Sequence, residues 1–178
     1  ASVERILVHE SIHDSFVALL KEKVLKLRHE GKADLGAATY EVQKKTYADQ
    51  LAELDGKNAE IVTGGKFSSD RTFLEPTIVT NPKGSHDSCP IEKTKIYTEE
   101  TFGPVVAITT YKTVRDAVEK ANDSKYGLLA SVIGKDISLA EHVASQLEAG
   151  SVLINEVIYT HALPETPWGG VKDSGIGR

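Results

Sequence analysis

The sequence contains no methionine and only one cysteine, Cys89. A single thiol cannot close an internal disulfide, so the chain fits a reducing compartment, and a cytoplasmic location is expected. No apolar run approaches the ~20 residues that a membrane-spanning helix needs, and no secretory leader is read at the start. Charge of one sign is also scarce: 26 acidic against 21 basic residues leave a formal charge of -5. That balance argues against nucleic acid or anionic lipid as a partner. No second histidine stands at metal-ligand spacing from His161, so no metal is expected. Internal repeats, low-complexity tracts and linkers are missing too. One domain over residues 1–178 is the organisation this leaves. The chain opens directly into a strand-like pattern and stops inside the glycine-rich run Ser174-Gly175-Ile176-Gly177-Arg178. Both ends read as cuts through a longer protein, with a processed mature chain as the alternative.

What is present is enough for a core: 40% of the residues are hydrophobic and 26% are charged. Val3 to Val8 reads as a buried strand. Ser11, with Asp14 three residues on, is expected to cap a helix whose apolar face is Ile12, Phe16, Leu19, Leu20, Val24 and Leu27, with Gly31 as its stop. A second helix is expected from about Glu41 to Leu54, with Val42, Tyr47, Leu51 and Leu54 on its apolar side. Ile61-Val62-Thr63 reads as a short strand closed by Gly64-Gly65. Phe73 to Val79 is interrupted by Pro76 and suits an edge or bent strand. Asn81 to Lys95 gathers Pro, Gly, Ser and Asp and reads as a surface loop. Beyond it the pattern turns regular: a strand over Val105 to Tyr111, a helix opened by Thr113 with Asp116, a strand over Leu128 to Ile133, a helix over about Ser138 to Leu147, and a strand over Ser151 to Asn155. Such alternation predicts an α/β fold with a mostly parallel sheet and helices on both faces.

Periodicity gives no function, but six ordered motifs do more. Glu99-Glu100-Thr101-Phe102-Gly103-Pro104 resembles the Glu-x-Phe-Gly-Pro signature of the aldehyde dehydrogenase superfamily. The segment Trp168-Gly169-Gly170-Val171-Lys172-Asp173-Ser174-Gly175-Ile176-Gly177-Arg178 resembles that family's glycine-rich C-terminal motif. Asn122-Asp123 with Tyr126-Gly127-Leu128 and Ala130-Ser131-Val132, then Ala149-Gly150-Ser151-Val152 with Asn155, are similar to two further family stretches. Ile61-Val62-Thr63-Gly64-Gly65 and Glu75-Pro76-Thr77 are similar to an earlier pair. The resemblance implies the catalytic-domain fold of that family. It implies a parent enzyme that oxidises a small-molecule aldehyde to a carboxylic acid through a thioester, with NAD or NADP as cofactor, and that is a homo-oligomer. It also implies that the nucleophilic cysteine falls just before Ala1. The nucleotide-binding domain, general base and oxyanion-hole asparagine then lie further upstream, and the oligomerisation strand follows the glycine-rich end. The 178 residues alone are therefore expected to carry no catalytic residue and no activity. A sister acyl-phosphate reductase and a non-catalytic assembly or binding domain stay as alternatives.

Residue by residue, the resemblance implies that Glu100 accepts hydrogen bonds from the nicotinamide ribose hydroxyls, a task for which an acceptor-only carboxylate is suited. Against it stands the solvated surface charge that a Glu usually is, and Glu99 keeps that reading. Phe102 is expected near the nicotinamide ring, or else as a core phenylalanine. Gln43 aligns loosely with a family glutamine that approaches the cofactor, but Thr46 stands where the accompanying lysine is common. A solvent-facing helical glutamine is the alternative. Trp168 replaces the usual phenylalanine at the wall of the substrate tunnel. With Tyr159 it would favour an aromatic or flat substrate, and a core or interface tryptophan is the alternative. His161, in the same loop, completes the candidate substrate residues, with a surface role as its alternative. Cys89 lacks the setting of a nucleophile. Glycines 169, 170, 175 and 177 lack the spacing of a dinucleotide fingerprint and are expected to permit tight turns instead.

Overall fold

The computed structural model describes residues 2–28, 34–57, 59–85, 90–157 and 159–176, with the His161 side chain outside the description. Gly31, Cys89 and Gly177 also fall outside it. The described chain forms two compact units, Val3–Tyr111 and Lys112–Arg178 with Ala1–Ser2.

The first unit is built on a four-stranded sheet of order β1-β4-β3-β2. Its strands are β1 (Arg5–His9), β2 (Glu60–Thr63), β3 (Thr77–Thr80) and β4 (Val105–Tyr111). The β1–β4 and β3–β4 pairs are parallel and β2–β3 is antiparallel, so the sheet is mixed but mainly parallel, as expected. Alternation along β4 gives the sheet two apolar faces. On one, Ile108 joins Ile78 and Val8 against Val17 of α1 (His13–Val24). On the other, Val105, Ala107 and Val79 meet Tyr47 and Leu54, together with Ile96 and Tyr97 of α3 (Lys95–Thr98). Tyr47 belongs to α2 (Glu41–Ala52), and Leu54 lies just beyond its end. Helices on both faces are what an α/β sheet of this kind needs to exclude water.

Several expectations in this unit change. Ser11 does not cap α1. His9 Nδ1 accepts the Ser11 backbone N–H at 3.3 Å and lies 2.8 Å from the Ser11 hydroxyl, and a short 3-10 turn, Glu10–Ile12, comes first. The buried face of α1 is correspondingly rotated. Val17 and His13 are buried, with Phe16, Leu20 and Val24 packed beside Val17, whereas Ile12, Leu19 and Leu27 are exposed. Val42 is likewise exposed on α2, where Gln50 is buried in addition to Tyr47. The strand after Pro76 is an interior strand, buried at all four positions, and β2 takes the edge. Proline is compatible with this because it precedes the first ladder residue. The Thr77 N–H is satisfied by the Pro104 carbonyl at 2.8 Å. Nor is Asn81–Lys95 a surface loop throughout. Asn81 and Thr94 are buried, Asn81 Oδ1 accepts the Ile91 N–H at 3.0 Å, and residues 90–93 form a 3-10 turn.

The second unit follows the sequence pattern closely. Helix α4 (Val114–Asn122) starts where Thr113 Oγ1 accepts the Asp116 N–H at 3.1 Å, and Asp116 in return accepts the Lys112 N–H at 2.9 Å. Strand β5 (Tyr126–Gly127) precedes β6 (Leu129–Val132), helix α5 (Ile137–Ala144), β7 (Ser151–Ile154) and β8 (Val171–Lys172). Strands β6 and β7 pair in parallel across α5, while β5 and β8 pair antiparallel, each pair forming its own two-stranded sheet.

Candidate functional site

The candidate cofactor residues of the first unit converge on one loop, Glu99–Pro104, between α3 and β4. Four side chains from elsewhere hold it. The Glu4 carboxylate accepts the backbone N–H of Thr101 at 3.0 Å through Oε2 and that of Phe102 at 2.8 Å through Oε1. From α2, Gln43, Tyr47 and Gln50 all face the loop, because positions i, i+4 and i+7 share one helical side. The Tyr47 hydroxyl donates to the Phe102 carbonyl at 2.8 Å, and Gln43 Nε2 donates to the same oxygen. Gln50, 2% exposed, accepts the Thr101 hydroxyl proton at 2.8 Å. Burial first, and the Glu4 charge second, raise the Tyr47 phenol above its ordinary pKa, so it stays a donor.

These contacts explain the backbone they hold. Phe102 has φ +50°, a left-handed conformation that crowds Cβ against the carbonyl and costs a non-glycine residue about 1–2 kcal/mol. It persists where surrounding bonds over-determine it. The consequence is that the Phe102 ring points outward, 65% exposed, rather than into the core. Glu100 is exposed beside it, and its carboxylate has no hydrogen-bond partner among the described residues. Gln43, by contrast, is neither solvent-facing nor free: its amide nitrogen is spent on the loop backbone. Thr46, one turn beyond Val42, donates its hydroxyl to the Val42 carbonyl at 3.1 Å. The motif resemblance pointed to Glu100 and Phe102. Glu4 and Gln50 were missed, although the Gln-Tyr-Gln stripe at 43, 47 and 50 could have signalled a polar buried face.

A sugar diol asks for an acceptor not already engaged, carried on backbone that does not yield. Glu100 is exposed, has no hydrogen-bond partner among the described residues and precedes two amides held by Glu4, so its chemistry is compatible with such a contact.

The candidate substrate residues lie in the second unit. Tyr159 and His161 belong to the 3-10 turn Tyr159–Ala162, and Tyr159 is exposed. The Trp168 indole N–H donates to Thr160 Oγ1 at 3.0 Å, with Thr160 itself buried, so Trp168 and the turn carrying Tyr159 form one piece. Within the glycine-rich end, a Cβ on Gly170 would lie 2.7 Å from the Ser174 carbonyl oxygen. A Cβ on Gly150 would lie 1.7 Å from the Gly169 carbonyl oxygen. Motif residues here hold the fold: Asn122 bonds to the backbone of Gln146 and Glu148. Lys172 reaches the Asn122 and Ser124 carbonyls and the Glu148 carboxylate. Asn155 bonds both the N–H and the carbonyl of Gly134 at 2.9 Å.

The model of the aldehyde dehydrogenase family matches residues 1–178. The chain belongs to that family. Among its relatives, an aldehyde dehydrogenase of Mycolicibacterium smegmatis, named for succinate semialdehyde and NADP(+), is 38% identical over 185 residues, covering 99% of this chain and 34% of the relative. A 3-sulfolactaldehyde dehydrogenase of Priestia megaterium is 34% identical, over 99% of this chain and 36% of its own. Among solved structures, an aldehyde dehydrogenase of Mycobacterium tuberculosis complexed with NAD+ superposes with a TM-score of 0.85 at 32% identity, covering 98% of this chain and 35% of that one. Betaine aldehyde dehydrogenase of Staphylococcus aureus in complex with NAD+ gives 0.83 at 35% identity, with the same coverage. The chain thus spans about a third of the length of the relatives it matches. Among the described residues no helix is long and apolar enough to cross a membrane, and no cluster of three His, Cys, Asp or Glu is arranged to hold a metal ion.

Proposed function

We propose that these residues form one domain, part of the catalytic domain, of an NAD(P)-dependent aldehyde dehydrogenase that oxidises a small-molecule aldehyde to a carboxylic acid, and that they supply its nicotinamide-ribose contact and part of its substrate wall. The observation that carries this is the exposed Glu100 carboxylate, without a hydrogen-bond partner among the described residues, on a loop held by Glu4, Gln43, Tyr47 and Gln50. Bound there, the nucleotide would supply the hydride acceptor. Glu100 would accept hydrogen bonds from the ribose hydroxyls. Phe102, held outward by its left-handed backbone, limits the positions a flat ring can take beside it. Trp168, with its indole N–H occupied by Thr160, presents its face as an apolar wall next to Tyr159, which suits an aromatic or flat aldehyde. His161 is assigned to the same loop. Gln43 acts on the cofactor only through the loop it holds. No catalytic residue is assigned within the 178 residues, so the chain alone is inactive. The parent is cytoplasmic and homo-oligomeric.

The test compares the chain with a longer protein containing it, assayed with aldehydes and both nucleotides. The longer protein forms reduced nucleotide and acid, and the 178 residues form neither. Reduced nucleotide from the 178 residues would overturn the assignment of catalysis elsewhere. Absence of oxidation by the longer protein, with nucleotide binding also absent, would favour a non-catalytic assembly domain.

A further inference from the structure

We infer that Glu4 is a positioning residue for the nicotinamide end of the site: its carboxylate clamps two consecutive amides and thereby sets the direction of Glu100 and Phe102. The inference rests on the reading of Glu100 as the ribose acceptor, and its geometry stands independently of it. Glu4 is 97 residues from Thr101 in sequence and 98 from Phe102, yet its two oxygens take one N–H each, at 3.0 and 2.8 Å. A carboxylate bridging adjacent amides fixes a peptide plane as well as a position, because each oxygen is committed to a different donor. The platform behind it is stiff. The Glu4 carbonyl accepts the Ala107 N–H at 2.9 Å beside the parallel β1–β4 ladder, so the clamp is referred to the sheet and not to another loop. The next residue, Arg5, sets its guanidinium 5.1 Å over the Tyr97 ring, at the α3 end of the same loop.

The clamp acts where the backbone is least able to hold itself. Phe102 is the residue at φ +50°, and its N–H is held by Glu4 while its carbonyl is held by Tyr47 and Gln43. Removing the carboxylate leaves two amide donors unmatched and allows the peptide between Thr101 and Phe102 to rotate toward an ordinary conformation. Rotation there swings the Glu100 carboxylate and the Phe102 ring away from each other. The bonds to the Phe102 carbonyl restrain the far side of that residue, and on the rotating peptide itself Gln43 Nε2 reaches the Thr101 carbonyl only at 3.5 Å. Glu4 need not touch the nucleotide or the aldehyde to have this effect.

The experiment uses the whole dehydrogenase that contains this chain. Glu4→Ala, Glu4→Gln and Glu100→Gln are compared by KM for nucleotide, KM for aldehyde, and deuterium uptake of the peptide spanning residues 99–104. Glu4→Ala is expected to raise the nucleotide KM about tenfold, and Glu4→Gln, which keeps one acceptor, about threefold, by loss of charge-assisted bonds. The aldehyde KM stays within about twofold in both, and uptake in 99–104 rises without a rise in β1 or α2. A merely structural role would move both KM values, or uptake across the unit. Should Glu4→Ala fail to fold, Glu4→Gln carries the comparison. A nucleotide KM unchanged by Glu4→Gln but raised by Glu100→Gln overturns the positioning role alone. A nucleotide KM unchanged by Glu100→Gln overturns the ribose reading, and this inference falls with it even if uptake shows the clamp intact.

Discussion

A Cβ on Gly103 would lie 2.4 Å from Cε1 of Tyr47, closer than packed atoms approach. The glycine is therefore the means by which the Tyr47 ring comes under the loop and reaches the Phe102 carbonyl. Gly103→Ala must push the ring aside and lengthen that hydrogen bond. A loss of about 1–3 kcal/mol is expected from overpacking. Chemical denaturation of the chain, followed by tyrosine fluorescence, measures it. A change below about 0.5 kcal/mol would mean that the ring yields freely.

Tyr47→Phe separates the ring from its hydroxyl. The expected cost at neutral pH is about 1 kcal/mol, one hydrogen bond to a carbonyl that keeps Gln43 as a second donor. The hydroxyl also makes a prediction about pH. Its folded pKa lies above the unfolded value of about 10. The folded state binds this proton more tightly, so its contribution is complete below about pH 10 and is lost as pH rises through the folded value. Stability curves of the chain and of Tyr47→Phe should converge in that alkaline range. Parallel curves up to about pH 11 would exclude Tyr47 as a source of the alkaline loss.

The parts of the fold legible in the sequence are those decided locally. Thr113 and Asp116 announce α4 because both halves of the cap lie within four residues, and β4 is a long apolar run whose ends are marked by Pro104 and Lys112. What could not be read depends on distant partners. Asn81 and Thr94 have the composition of a surface loop and are buried, because Ile91, Thr109, and the backbone N–H groups and Thr98 hydroxyl of α3 satisfy their polar atoms. Ser11 caps no helix because a 3-10 turn, capped by His9, intervenes, and α1 itself, with Ile12 as its N-cap residue, has no side-chain cap. The site divides in the same way. Glu100 and Phe102 are proposed through their motif, but the residue that holds the backbone between them, Glu4, is joined to it only by the folding of β1 against β4.

In the second unit, Gly150→Ala is the decisive packing test. With Gly169 oxygen 1.7 Å from the added carbon, two backbones must separate. The loss should exceed about 3 kcal/mol, the upper end of ordinary overpacking. Gly134→Ala, whose Cβ would meet nothing within 4 Å, is the control and should change stability by less than about 1 kcal/mol. Equal melting temperatures for the two variants would contradict the close approach.

Glu100→Gln in the whole enzyme tests the ribose contact, and Glu99→Gln beside it tests whether position matters. Both side chains are exposed and adjacent, so a general effect of surface charge would touch them alike. A carboxamide keeps the size of Glu100 but removes the charge and one acceptor. A charge-assisted hydrogen bond contributes roughly 1.5–3 kcal/mol. If it serves to position the nicotinamide for hydride transfer, the rate falls by about tenfold to a hundredfold. Stability without nucleotide should barely move, because the carboxylate has no hydrogen-bond partner among the described residues to lose. Glu99→Gln should alter neither quantity. Stopped-flow hydride transfer and melting temperatures without nucleotide make the comparison. An unchanged transfer rate in Glu100→Gln would remove the residue from the site. A lowered melting temperature would assign it to the fold, and equal effects of the two substitutions would reduce both to surface charge.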